Sequence, residues 1–436
     1  MTLSPLDSPL WQGLYRSDLA HDALGDTALI AAMVRVEIAL AHACETAGLT
    51  PPGSGPRIAA ALSEARIDPA DLAPVAARDG VPVPALLAVL RARLAEADAD
   101  ALHLGATSQD VVDTATILCL GDFARRLGEQ VDACLDLLAG LAAREADTVQ
   151  LARTRTQGAV PTTFGSVVAG WGSGLAAARA RLAAAAEAAA RVSLHGAAGT
   201  DSVLGGAAEA VRADMARRLG LTAPASPWHT DRQPICALAD AVAALAAQCG
   251  RIGADLALLA ATGITEVRLE GGGSSAMPHK ANPVRAEAAV ALARHAAHLQ
   301  GAVTEAAIHP TQRDGAAWGL EWLSLRPLCG AAAAASENVH AAVASLQVDR
   351  AAMARTLAAA GIAPYSERLT NLVAETTSRK QARAAVTRAL AEPDPEATLR
   401  REHPQIDWTR ALDPLTAAGN APAQARAFGA TRGETP

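Results

Sequence analysis

Aromatic side chains are scarce in this chain: they make up 3% of its 436 residues, although hydrophobic residues account for 50%. A core with so few large rings has to be filled by Ala, Leu and Val at short helix-to-helix distances, which disfavours sandwiches and favours bundles. Strand-like alternation is nearly absent too, while helical periodicity runs almost throughout. The six cysteines (Cys44, Cys119, Cys134, Cys236, Cys249 and Cys329) are scattered without a CxxC pair. That spacing suggests neither a disulfide framework nor a zinc site, and it fits a reducing cytoplasm. Positive charge is not in excess, since 38 Lys and Arg face 45 Asp and Glu for a net charge of −7. Nucleic acid and anionic membranes are therefore not expected partners.

The opening residues, "MTLSPLDSPLWQGLYRSD", have neither a basic nor an apolar signal region. The most apolar stretch, "AVAALAAQCGRIGADLALLAATG" from Ala241, carries Gln248, Arg251 and Asp255. Charges of that kind are costly in lipid, so the stretch is expected to be a helix buried in a bundle.

Punctuation by Gly and Pro divides the chain into three expected domains. Residues 1–105 read as a small helical domain, with a clear helix in "TALIAAMVRVEIALAHACETAGL" ended by Gly48 and Pro51-Pro52. Residues 106–347 hold long proline-poor segments; the one between Pro234 and Pro278 has room for a helix of about 35 residues, roughly 50 Å. Helices that long usually pack against copies of themselves, so an oligomer is expected. Residues 348–436 read as a third, smaller helical domain with a loose tail.

Three segments carry chemistry. In "HLGATSQDVVDTATIL", from His103, Thr107 and Asp110 have capping-box spacing. A helix should start there, with its free N–H groups at Thr107, Ser108 and Gln109 able to attract an anion; simple capping is the plainer reading. In "LARTRTQGAVPTTFG", from Leu151, Arg153 and Arg155 flank Thr154, with Gln157 nearby, and Pro161-Thr162 suggests a helix start. The arginines suit a carboxylate clamp or an exposed basic turn equally well. In "GGGSSAMPHKANPVRAE", residues 271 to 287, three glycines give the backbone freedom and Asn282-Pro283 suits an N-cap and first-turn pair. A P-loop is disfavoured because no Gly-Lys-Ser/Thr follows the glycines. A plain linker would not ordinarily hold Met277, Pro278, His279 and Lys280 in a row. His295 and His298 are three apart on a helix but lack a third metal ligand, and His229 and His309 read as ordinary polar loop residues.

Taken in this order, the segments resemble the fumarase/aspartase superfamily. "GSSAMPHKANP", residues 273 to 283, fits its GSSxMPxKxNP pattern at every fixed position, and "TSQD" with "RTRTQ" agrees. "QGAVPTTFG", "GAAGT", "PWHTDR" and "AAWGLEW" look most like the 3-carboxy-cis,cis-muconate cycloisomerase and adenylosuccinate lyase branch. The resemblance implies an all-α, three-domain fold, a homotetramer with a central long-helix bundle, active sites shared between subunits, and no metal or organic cofactor. It implies Ser274 as the base that removes a proton alpha to a carboxylate, with Lys280 and Asn282 stabilising the dianion that results. Thr107, Ser108, Thr154, Arg155, Gln157, Ser275 and Met277 would bind a small di- or tricarboxylate, with His103 close by.

The departures are specific. Arg155 follows "RT" where the lyases carry His; Gly158 and Gly319 stand where the cycloisomerases carry His; and Ala281 replaces an arginine frequent in both. Three readings follow: a cycloisomerase acting on 3-carboxymuconate, a fumarate-releasing lyase acting on an N-substituted succinate or on nitrosuccinate, and a catalytically silent helical scaffold. A leaving group as good as nitrite needs little protonation, which would make the acid histidines dispensable.

Overall fold

The computed structural model describes residues 3–273, 277 and 280–432. Helix dominates, as the alanine-rich composition requires. The longest helix, Ser108–Arg144, has 37 residues, roughly 55 Å at 1.5 Å per residue. Four other long helices are Phe164–Ala189, Gln233–Leu259, Val284–Glu305 and Gly315–Ala344. Small side chains let them approach closely. Ala331 to Ala335 are all fully buried, and a Cβ added to Gly253 would lie 2.6 Å from the carbonyl oxygen of Ala286.

The chain forms two compact units, one of residues 1–130, 178–247 and 291–337, the other of residues 131–177, 248–290 and 338–436. In the first unit, the Asp26–Thr46 helix buries Ile30, Met33, Val34, Leu40, Ala41 and Cys44 along one stripe and Ala32, Val36, Ala39 and Ala43 on the opposite face, the pattern of a helix enclosed in the core on two sides. Its end is a Schellman motif. Gly48 N–H donates to Glu45 O and Leu49 N–H to Cys44 O, with Gly48 at φ +72°. In the second unit, Tyr365, Leu369, Val373, Val386, Leu399 and Trp408 share a small apolar core within the C-terminal helices.

Four sequence expectations are corrected. The 149–163 region is an antiparallel hairpin, Val149–Thr154 with Gln157–Thr163, despite the near absence of strand signals. Pro161 and Thr162 lie in its second strand, Pro161 opposite Leu151. The helix starts instead at Phe164, with Thr163 Oγ1 accepting from Ser166 N–H at 3.3 Å. A two-stranded ribbon tolerates proline because both its strands are edges.

The helix after Pro234 is shorter than expected, 27 residues ending at Leu259. Gly263 and Thr265 then take positive φ values and turn the chain so that Val267–Arg268 pairs with Gln347–Val348. Asn282 is not the N-cap. Its backbone pairs with Gly272, and the Pro283 carbonyl accepts the first helical bond, from Glu287 N–H at 3.0 Å. Asp18–Thr46 and Gln233–Leu259 are long and apolar enough to span a membrane by length and composition, and 61% of each apolar window is buried within the protein.

Candidate active site

In the first unit, the Ser108–Arg144 helix begins after Thr107, as the capping-box spacing predicts. Only half of the box forms: Asp110 Oδ2 accepts from Thr107 N–H at 3.0 Å. The Thr107 hydroxyl accepts instead from Arg313 Nη1 at 2.7 Å, and the same guanidinium donates through Nε to Gln109 Oε1 at 2.9 Å. Arg313 thus stands at the positive end of a helix, where a cation and free N–H groups together favour an anion. Sequence reasoning passed over it, because "TQRDG" reads as an ordinary turn.

Asp110 is almost completely buried and anchors a hydrogen-bonded cluster. Oδ1 accepts from Ser193 Oγ at 2.8 Å and His195 N–H at 3.1 Å, and lies 2.7 Å from His229 Nε2; Oδ2 also accepts from Gly196 N–H at 3.0 Å. Burial alone would raise the carboxyl pKa, but the His229 bond and charge, with the Thr107 and Ser193 donors, hold it below the usual range. His229 is therefore not an ordinary loop residue; its ring is buried against Asp110.

One turn on, Asp113 and Glu321 grip Arg232 in two forks, with shortest contacts of 2.7 Å and 2.6 Å. Trp318 Nε1 donates to Asp113 at 3.0 Å, and the guanidinium lies 4.8 Å from the Trp228 ring centroid. Burial opposes its charge, yet the paired carboxylates push the Arg232 pKa up. His103 packs its Nδ1 2.7 Å from Glu37 Oε1, and Ser108 is half-buried in the first helical turn.

In the second unit, the hairpin is pinned by a buried carboxylate. Glu266 is fully buried and accepts from Gln150 Nε2 at 2.8 Å, Arg153 Nη1 at 3.0 Å and Arg153 Nη2 at 2.6 Å. The carboxylate that Arg153 clamps is thus the protein's own. Beyond it, Thr154, Arg155, Thr156, Gln157 and Gly158 are all exposed. Arg155 and Thr156 form the two-residue turn at φ +51° and +68°, a left-handed pair normally given to Asn-Gly. Each non-glycine residue there costs about 1–2 kcal/mol, and strain of this kind gathers at functional sites. The departure at Gly158 has a steric side, since a Cβ there would lie 2.7 Å from Cδ2 of Leu151, whereas a Cβ at Gly319 would meet nothing within 4 Å.

The glycine-rich segment enters and leaves through paired backbone, Gly272 with Asn282 and Gly273 with Ala281. Lys280 is exposed and its N–H donates to the Met277 carbonyl at 3.0 Å, while the Met277 side chain is partly exposed. Ser274 and Ser275 lie outside the described residues. His295 and His298 are exposed, and among the described residues no group of three His, Cys, Asp or Glu side chains is arranged to hold a metal. All six cysteines are free and buried; burial pushes Cys119 up to about 11 and Cys134 and Cys329 up to about 12, so these thiols are poor nucleophiles.

An all-α chain with long helices, a polar helix N-terminus, a strained polar hairpin tip and a GSSxMPxKxNP segment defines a class of enzyme that works on small carboxylates. The lyase family model matches residues 16–298. The chain is 35% identical over 396 residues to 3-carboxy-cis,cis-muconate cycloisomerase of Bradyrhizobium diazoefficiens, covering 88% of each chain. It is 36% identical over 406 residues to nitrosuccinate lyase of Streptomyces davaonensis, covering 89% of this chain and 85% of that one. The crystal structure of 3-carboxy-cis,cis-muconate lactonizing enzyme from Pseudomonas putida superposes with a TM-score of 0.89 at 28% identity, over 98% of this chain and 99% of that one. The chain belongs to the lyase family of the fumarase/aspartase superfamily, whose members are lyases and cycloisomerases.

Proposed function

We propose that the protein is a cofactor-independent cycloisomerase that closes 3-carboxy-cis,cis-muconate to a lactone. The observation that carries this reading is the recurrence of cycloisomerases of that name, from several bacteria, among the relatives that match most of this chain. The chemistry is β-elimination run backwards: an internal carboxylate oxygen adds to the β carbon, the electron pair passes into the α-carboxylate, and the α carbon then takes a proton. Ser274 exchanges that proton, and Lys280 and Asn282 hold the dianion. Different subunits of the oligomer contribute the groups that bind the substrate: Thr107 and Ser108 at the helix N-terminus, Thr154, Arg155 and Gln157 at the hairpin tip, and Ser275 and Met277 on the glycine-rich segment. His103 meets one of the substrate's carboxylates. Neither an internal carboxylate nor its departure in reverse needs a proton donor, so the reaction runs without His at 155, 158 or 319.

Elimination of nitrite from nitrosuccinate is the second reading, favoured by one specific feature. Arg155 places a permanent cation, in place of an imidazole, on an exposed and strained turn, where it suits an anionic leaving group that needs no proton. In either case we propose a homotetramer in the cytoplasm, with residues 1–105, 106–347 and 348–436 as its domains and the long helices of the middle one as the oligomer core.

Two assays separate the readings. Loss of the muconate chromophore without fumarate supports cyclisation; fumarate and nitrite appearing from nitrosuccinate support the lyase. Ser274→Ala should lower kcat on the accepted substrate by roughly 10²–10⁴-fold while leaving the oligomer intact. Undiminished turnover in that variant would remove Ser274 as the group that exchanges the α proton.

A further inference from the structure

On the Asp26–Thr46 helix the core-facing stripe of Ile30, Met33, Val34, Leu40, Ala41 and Cys44 is interrupted by Glu37, which is fully buried. Burying a carboxylate among apolar neighbours is costly unless a partner compensates its charge. Glu37 has one such partner. Its Oε1 lies 2.7 Å from His103 Nδ1, while its Oε2 is buried with no hydrogen-bond partner among the described residues. An imidazolium at that single contact offsets the carboxylate charge, whereas a neutral ring would leave it bare.

His103 also sits at φ +69°, a region non-glycine residues seldom occupy. The ring keeps 15% of its surface exposed, and among the described residues Glu37 is its hydrogen-bonding partner. Nε2 is therefore left to meet something else.

The charged and titratable groups facing His103 come from three helices. Burial is the strongest influence and opposes protonation; the Glu37 bond and charge outweigh it, Arg91 on the Val83–Arg91 helix opposes and Asp110 on the Ser108–Arg144 helix assists, so the pKa rises above its ordinary value. Cys44, on the same helix as Glu37, is pushed up to about 12 by burial and by Glu37 and contributes no charge.

We propose that Glu37 is a positioning residue: it holds His103 with Nδ1–H toward the Asp26–Thr46 helix and keeps the ring cationic, so that Nε2–H donates to a carboxylate of the substrate. The ring transfers no proton; it supplies a fixed charge. This inference rests on the proposed carboxylate chemistry, and its test separates the two.

The test is a pH titration of His103 by NMR on protein labelled at the histidine Cε1 carbons, with the resonance assigned by His103→Gln. In the wild type, His103 should titrate above about 6.5, the ordinary imidazole value. Glu37→Gln should lower that value by about one unit or more, and Glu37→Asp should recover part of the shift, which guards against a variant that merely misfolds. On the accepted substrate, Glu37→Gln should reduce kcat/KM about tenfold, mainly through KM, and move the alkaline limb of the pH profile toward acid by the same interval.

A wild-type His103 that titrates at or below the ordinary value, or one indifferent to Glu37→Gln, overturns the proposal. A shifted titration with an unmoved pH limb overturns the carboxylate contact. If the wild type turns over neither test substrate, the proposed function fails while the titration still decides the Glu37–His103 pair.

Discussion

Two polar regions of similar composition are used in opposite ways. Around Asp110 and Arg232 in the first unit, nearly every polar atom is consumed by another: the buried carboxylates of Asp110, Asp113 and Glu321 meet His229, Arg232, Ser193 and backbone N–H groups. At the tip of the hairpin in the second unit, Thr154 to Gly158 are exposed, and the cation that could have been consumed, Arg153, stops short of the tip at Glu266. Charge that is fully paired in the interior fixes geometry and has little left to offer a ligand. Charge left on a strained turn is available, and the strain is the cost of presenting it.

Breaking a buried pair should give the largest effect. Arg232→Met leaves Asp113 and Glu321 without their cation and is expected to destabilise the fold by about 3–5 kcal/mol, measured by urea unfolding. A loss below about 0.5 kcal/mol would show that the cluster is not structural. The hairpin tip should respond in the opposite sense. Arg155→Met is expected to raise KM about tenfold, the scale of one charge-assisted hydrogen bond, with unfolding free energy unchanged within about 0.5 kcal/mol. An unchanged KM would take Arg155 out of the site.

Acidity sharpens the contrast between paired and available charge. Asp110 has a depressed pKa, so its contribution to stability is present above about pH 3.9, the ordinary aspartate value, and is lost as pH falls through the folded value. His103 has a raised one, so its contribution is fully present below about pH 6.5 and is lost as pH rises through the folded value. Unfolding free energies of the wild type and of Glu37→Gln should therefore converge as the solution becomes alkaline, and a gap that widens would contradict the assignment.

The smallest effect expected is a gain. Replacing Arg155-Thr156 by Asn-Gly fits the turn and should stabilise the protein by about 0.5–1 kcal/mol while weakening substrate binding. A double variant that binds as well as the wild type would mean that the strain serves no ligand.

Much of this was legible in the residues. Alanine and leucine periodicity marked the helices, Gly48 the end of the first long one, and Thr107-Asp110 the start of the longest, because caps and periodic stripes are local properties. The hairpin was not legible, since "VQLARTRTQGAVPTT" has no clean alternation and its two-residue turn lacks Asn and Gly. What holds it is Glu266, more than a hundred positions away, and no local pattern reports a partner so distant.

The buried cluster offered a faint signal that composition obscured. Asp110 and Asp113 are three apart on one helix, His229 and Arg232 are three apart in "HTDR", and the pairs meet in that order. Equal spacings of opposite chemistry hint at a contact, but only the folded chain shows that it forms. Glu37 was hidden for a related reason, being one carboxylate inside an otherwise apolar stripe.

We propose that this chain catalyses addition and elimination beside a carboxylate, with Ser274 moving the proton. The most direct test is to incubate purified wild-type protein and Ser274→Ala with 3-carboxy-cis,cis-muconate and, separately, with nitrosuccinate, following the muconate chromophore, fumarate and nitrite. The wild type should consume the muconate without forming fumarate, and Ser274→Ala should not. A wild type inert toward both compounds, or a Ser274→Ala variant as active as the wild type, would contradict it.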